Sequence, residues 1–179
     1  TRTRSSVCRQ TIRPFPIGGQ AVRSALEGRP VLVTGATGFL GKHLTRALAH
    51  AGADVHVFVR RATPSNAGVH QHLGDMTDAA SLRAAFSAAE PAVVFHLAAY
   101  GTTPVQPDAG LMRAVNVGGT EQLWAAADRW PCRIVQTGTC GEYAAKHGAL
   151  TEEDPCQPAS DYTATVHEAV TFSREHARR

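Results

Sequence analysis

The stretch VLVTGATGFLGKHL, residues 31–44, decides how this chain folds. An apolar triplet, Val31 to Val33, leads into glycines at 35, 38 and 41; then Phe39, Leu40, Leu44, Ala47, Leu48 and Ala51 recur at helical spacing until Gly52. Strand, glycine-rich turn and amphipathic helix follow one another without a break.

Working outward, Asp54 to Val59 alternates as a second strand, and Met76 to Ala89 reads as a helix with Leu82 and Phe86 on its inner face. Ala92 to Ala98 is a continuous apolar run, suited to a central parallel strand covered on both sides. A long helix is predicted from about Asp108 to Trp130, stopped by Pro131. Ile134 to Thr137 is the next strand, Gly138 to Asp161 is mostly loop, and Tyr162 to Arg178 is the last helix. Strands alternating with helices predict parallel pairing through right-handed crossovers. The expected fold is α/β, a doubly wound parallel sheet of Rossmann type in three α/β/α layers.

Two segments are expected: a basic extension over residues 1–29 and a folded domain of Rossmann type over residues 30–179. The extension holds two proline turns in PFPIGG and a short helix near Ala21 to Leu26. The 179 residues carry a formal net charge of +3, yet the extension alone has six arginines against Glu27, so the remainder is slightly acidic. Its start, TRTRSSVCRQ, admits a nucleic-acid tail or a transit peptide; a solvated extension is the simpler reading, and no nucleic-acid partner is expected. No apolar run approaches the ~20 residues of a membrane span and no charged-then-apolar leader is seen, so no membrane partner is expected. Cysteines at 8, 132, 140 and 156 lack any CxxC spacing and fit reduced thiols in a cytoplasm. No HExxH occurs, and His70 and His72 lack an accompanying acid at ligand spacing, so no metal is predicted.

In a turn of this kind the first glycine permits the tight bend, the second lets backbone approach a pyrophosphate, and the third lets the helix pack closely on the strand. The helix start adds N–H groups and the positive end of its dipole. The spacing predicts dinucleotide binding at Gly35, Gly38 and Gly41; alternatively the three serve only as turn and cap.

Other pieces accompany the turn TGATGFLG at 34–41: GDMTD at 74–78, HLAA at 96–99, NVGGT at 116–120, VQTGTCGEY at 135–143, and PASDY before the last helix. In this order and spacing the chain resembles the extended short-chain dehydrogenase/reductase family, the NAD(P)-dependent epimerases and dehydratases of sugar nucleotides. The resemblance implies that Phe39 and Leu40 lend backbone to the pyrophosphate, within a turn that also counts Thr37. By the same resemblance Asp75 and Met76 flank the adenine, and Leu97, Ala98 and Ala99 line the path to the nicotinamide, with Asn116 and Thr137 nearby. The second strand ends in Arg60 and Arg61, where an acid would take a ribose 2′-hydroxyl and guanidinium groups suit a 2′-phosphate. NADP is the preferred cofactor and NAD the alternative.

In this family a Ser or Thr after the fifth strand and a Tyr opening the next helix share the substrate oxygen, with a Lys four residues on. Thr139 and Tyr162 match the first two roles, and Tyr162 also stands beside the cofactor, but YTATVHE places Val166 where the lysine belongs. Residues i and i+4 share a helix face, so the missing ammonium would have stood beside the phenol. A tyrosine of pKa ≈ 10 leaves roughly one molecule in a thousand ionised at pH 7, and valine supplies no cation to change that. His167 lies about 100° around the helix, and Tyr143 with Lys146 has the wrong spacing. The resemblance implies an NAD(P)-dependent oxidoreductase or epimerase/dehydratase with hydride exchange at the nicotinamide, and keto-sugar reduction is favoured because it needs a donor more than a base; the alternative is a catalytically impaired or silent dinucleotide-binding module or subunit. Family members continue past this helix into further strands and a small substrate lobe, absent from these 179 residues. The expected partners are a nucleotide-linked sugar and, because a sheet edge stays open, a second copy or another chain.

Overall fold

A computed structural model describes residues 25–64, 68–103 and 108–177. The basic extension and most of the helix expected near Ala21 to Leu26 lie outside them, Ala25 and Leu26 alone being seen, in a helical turn. The five strands are β1 (Pro30–Thr34), β2 (Asp54–Val59), β3 (Val69–Leu73), β4 (Val93–His96) and β5 (Arg133–Gln136). They form one sheet in the order β3-β2-β1-β4-β5, every neighbouring pair parallel. This is the doubly wound sheet expected from the alternation of strands and helices.

Alternation along the strands divides the core between two faces. Val31, Val33, Val55, Val57 and Val59 pack with Leu44 and Leu48 of α1 (Phe39–His50). Leu32, Phe58 and Val94 pack on the other face with Leu82 and Phe86 of α2 (Ala79–Ala89) and with Leu123 and Ala126. Helix α2 starts three residues later than predicted because Asp78 caps it, its carboxylate accepting from the Ala80 N–H at 2.9 Å.

Two expectations are corrected. Strand β3 has no counterpart among the expected elements: VHQHL alternates histidine with Val, Gln and Leu, and as the edge strand it carries no apolar run to betray it. The long helix predicted over Asp108 to Trp130 is broken into α3 (Ala109–Arg113), a π-helical turn (Ala114–Gly118) and α4 (Gly119–Ala127). The Thr120 hydroxyl donates to the Asn116 carbonyl at 2.6 Å, competing for an acceptor of the helical ladder next to the weak helix formers Gly118 and Gly119. Helix α5 (Asp161–His176) lies against α4 and the π turn, joined by Asn116 Nδ2 to Thr165 Oγ1 at 3.0 Å and by Trp124 Nε1 to Ser173 Oγ at 2.8 Å.

A polar thread crosses the core beside the sheet's centre. The Ala98 N–H donates to Thr34 Oγ1 (3.2 Å), Thr34 Oγ1 bonds His96 Nδ1 (2.7 Å), and His96 Nε2 bonds Thr120 Oγ1 (3.0 Å). A single tautomer satisfies every member: the Thr34 hydroxyl donates to Nδ1, and Nε2–H donates to Thr120. Burial holds His96 as a neutral ring, with its pKa pushed down to about 4.

Gly41 and His96 generate two predictions. A Cβ at Gly41 would stand 2.1 Å from the Gly35 carbonyl oxygen. Gly41→Ala is therefore expected to destabilise the fold by at least about 2 kcal/mol, whereas Gly118→Ala, which meets nothing within 4 Å, is expected to be neutral or stabilising in urea unfolding. His96 titrates lower in the folded chain than in the unfolded one, so the unfolded state takes up the proton first as pH falls. Stability conferred by the neutral ring is full above pH about 6.5, declines by roughly 3 kcal/mol down to pH about 4, and levels off below that. Unfolding curves at intervals across this range check it, and His96→Gln should flatten the slope.

Candidate functional site

A cavity of about 520 Å³ opens at the carboxyl ends of β1, β2, β4 and β5, where the strand order reverses between β1 and β4. Its floor is the turn after β1. Gly35 has φ +69°, and a Cβ there would lie 2.6–2.7 Å from the backbone of Leu97 and Ala98. Gly35, Thr37, Gly38 and Gly41 all line the cavity, as do Phe39 and Leu40.

The start of α1 suits an anionic group. Gly38 caps it in extended conformation with no side-chain hydrogen bond, and no acidic residue sits in its first turn. The first-turn amides have no acceptor within the helix and sit at the positive end of its dipole. Phe39 is 82% and Leu40 56% exposed, so these apolar residues, which the helical pattern assigns to the buried face, belong to the rim of the cavity. A diphosphate fits this cradle, because the first-turn amides carry no side-chain cap and Gly38 brings only main chain to the cavity.

Arg60 reaches the cavity at the end of β2, opposite Asp75 and Met76. The Asp75 carboxyl is held below its usual range by the Thr77 backbone N–H, then by the Thr77 hydroxyl and the Arg60 charge. Leu97, Ala98 and Ala99 form the wall beside β4. Two predicted positions are placed elsewhere. Arg61 is exposed and off the lining, the chain having turned past the sheet's end. Asn116 is buried behind the wall: its Oδ1 accepts from the Tyr100 N–H (2.8 Å) and its Nδ2 donates to the Tyr100 carbonyl (3.0 Å), fixing the loop that carries Ala99 and Tyr100.

Across the cavity stand Thr137 and Thr139 after β5, with Tyr162 and Val166 on the first turns of α5. Val166 is buried where the resemblance called for a lysine. Of the two side chains weighed as substitutes, Lys146 pairs with Asp154, and His167 Nδ1 lies 3.3 Å from Glu142 Oε2. Burial first, and then the Glu142 charge, push the Tyr162 phenol above its ordinary value. The phenol is thus an O–H donor near neutral pH. Glu142, to which the sequence reading gave no role, also accepts from the Thr139 N–H at 2.6 Å. Its signal was present as a capping-box spacing, Thr139-x-x-Glu142. Among the described residues, no helix is long and apolar enough to cross a membrane, and Cys132, Cys140 and Cys156 form no disulfide.

Comparison with known proteins agrees with this geometry. The family model described as "NAD dependent epimerase/dehydratase family" matches residues 31–179. Sterol demethylase protein B of Methylococcus capsulatus is 36% identical over 143 residues, covering 75% of this chain and 43% of that protein. A dTDP-glucose 4,6-dehydratase of Streptomyces griseus is 35% identical over 152 residues, 75% of this chain and 45% of its own length. The Bordetella bronchiseptica enzyme WbmG, solved in complex with NAD and UDP, superposes with a TM-score of 0.73 at 27% identity, covering 82% of this chain and 49% of that one. The chain therefore spans less than half the length of these relatives. With its glycine turn, its parallel sheet and a family match across residues 31–179, the chain belongs to the NAD-dependent epimerase/dehydratase family of short-chain dehydrogenases/reductases.

Proposed function

We propose that this chain binds NADP(H) and serves the reduction of a keto group on a nucleotide-linked sugar, with Thr139 and Tyr162 as hydrogen-bond donors to the carbonyl oxygen. The carrying observation is that one cavity gathers the glycine turn, Arg60, Thr139 and Tyr162 at the switch point of the sheet. The first-turn amides of α1 and the bare backbone at Gly35 and Gly38 would hold the diphosphate, and Arg60 would face the ribose 2′-phosphate, a contact that favours NADP over NAD. Asp75 and Met76 would border the adenine, and Leu97 to Ala99 the nicotinamide path. Bound NADPH supplies the hydride.

The protein's part is to polarise the oxygen. A phenol kept protonated by burial and by Glu142 has its hydrogen available for donation but only a trace of phenolate for abstracting a proton. Carbonyl reduction uses the first property; alcohol oxidation would need the second. A nucleotide-linked sugar as substrate is supported by the dTDP-glucose dehydratase among the relatives and by UDP in the WbmG complex. The flank of β5, where Val135 is 46% exposed, is where a second copy or another chain would cover apolar surface. Buried Val166 also favours a second reading, a silent dinucleotide-binding module.

Calorimetric titration is expected to give NADPH binding in the micromolar range with weaker NADH binding, and Arg60→Ser should erase most of that preference. Absence of binding by either dinucleotide overturns both readings. Val166→Lys places an ammonium beside Tyr162, and NADPH consumption with a UDP- or dTDP-linked 4-keto-hexose should then rise at least tenfold, on the scale of about 1.4 kcal/mol per factor of ten. No turnover in either protein, with NADPH bound, selects the silent module.

A further inference from the structure

We propose that Asp54, His56 and His70 form a binding site for a divalent transition-metal ion of the zinc class at the open edge of the sheet, with His72 as its positioning residue. The edge strand β3 is the reason these groups meet. Its parallel register pairs His56 with His70 and Phe58 with His72, so His70 and His72 emerge on the same face as Asp54 and His56. Local spacing hid this set, because the missing acid comes from the neighbouring strand.

The distances suit a small tetrahedral ion. His56 Nε2 lies 3.3 Å from Asp54 Oδ2, and His70 Nε2 lies 3.3 Å from Asp54 Oδ1. A tetrahedron with zinc-to-ligand bonds of about 2.0–2.1 Å has edges of about 3.3–3.4 Å, so each imidazole already stands at edge length from one oxygen of the Asp54 carboxylate, His56 from Oδ2 and His70 from Oδ1, and a small turn of the carboxylate brings a single oxygen to both. One ligand atom from each of the three residues lies within 4.8 Å of the others, and the edge between the two histidines closes by rotation of His70, whose side chain is 60% exposed. Two imidazoles and one carboxylate are a borderline donor set that takes zinc, cobalt, nickel or copper in preference to magnesium or calcium. Three protein ligands leave the fourth position to water.

His72 supplies the outer contact that such sites use. His56 Nδ1 lies 2.8 Å from His72 Nε2, and the two rings lie side by side, centroids 5.1 Å apart with 10° between their planes, as an in-plane hydrogen bond requires. With the proton on His56 Nδ1 and donated to His72, the Nε2 lone pair of His56 points to the metal position beside Asp54. Buried His56 is thereby held in orientation, while His70 stacks on its ring at 4.8 Å. This cluster begins at the amino end of β2, whereas Arg60 enters the cavity beyond its carboxyl end; six residues of strand separate Asp54 from Arg60 by about 20 Å. The metal site is therefore distinct from the dinucleotide cavity.

The test uses the tag-free full chain, freed of metal by chelation and titrated with zinc chloride by calorimetry, and with cobalt chloride by visible absorption. One equivalent of zinc should bind at micromolar dissociation constant or tighter, cobalt should develop the intense bands of a four-coordinate site, and zinc should raise the melting temperature. His70→Ala and Asp54→Asn, at exposed positions that leave the far-ultraviolet circular dichroism unchanged, should each weaken zinc at least tenfold and remove the melting shift. His72→Gln should weaken zinc roughly tenfold while keeping the cobalt bands, as expected of an outer contact. The proposal is overturned if the wild-type chain takes up no stoichiometric zinc, or if His70→Ala and Asp54→Asn bind it as tightly as the wild type.

Discussion

The backbone contact at the first crossover is the constraint from which the rest of the site follows. Helix α1 runs so close to the turn after β1 that a Cβ at Gly41 would overlap the Gly35 carbonyl, and Gly35 itself lies against the backbone of Leu97 and Ala98 beyond β4. Three segments of main chain thus meet with no side chain between them. That proximity aims the start of α1 at the crevice between β1 and β4, and keeps its first-turn amides bare. A larger residue at either glycine would push the helix off the sheet and close the cradle together.

Behind this contact, polar groups take over where apolar packing alone would leave the loops loose. The thread from Ala98 through Thr34 and His96 to Thr120 ties the β4 loop to β1 and α4, and Asn116 ties the next residues, Tyr100 and its neighbours, to α5. Both devices sit at or beside the π turn, whose wider ladder frees carbonyl and side-chain groups for such use. The cavity wall is held by hydrogen bonds made in a dry interior, where leaving one unmade costs more than in water.

Much of this could be read from the amino acids alone, for definite reasons. β1 and β2 are valine-rich strands buried on both faces, β4 is a short apolar run between them and β5, and the glycine turn sits between a strand and a helix, the context its spacing requires. β3 escaped notice because an edge strand needs no apolar alternation, and its histidines read as isolated until the parallel register set them against Asp54 and His56. The helix over 109–127 was legible as helical but not as interrupted, since the interruption depends on one hydroxyl choosing a carbonyl four residues back. Arg60 and Arg61 were indistinguishable in sequence; only the end of β2 decides which of them faces the crevice. The influence of Glu142 on Tyr162 is likewise a matter of tertiary proximity, bridging a short loop and a helix.

The outward placement of Phe39 and Leu40 bears on how this region tolerates change. A main-chain amide offers the same hydrogen whatever side chain it carries, and here the ring of Phe39 is turned out to water, edge-on to His43 at 5.2 Å between centroids. Residue type at 39 and 40 is therefore uncoupled from the polar surface those positions present inward. Drift at these two sites can retune solubility and the feel of the entrance while the anchoring geometry stays put, whereas the neighbouring glycines have no such latitude.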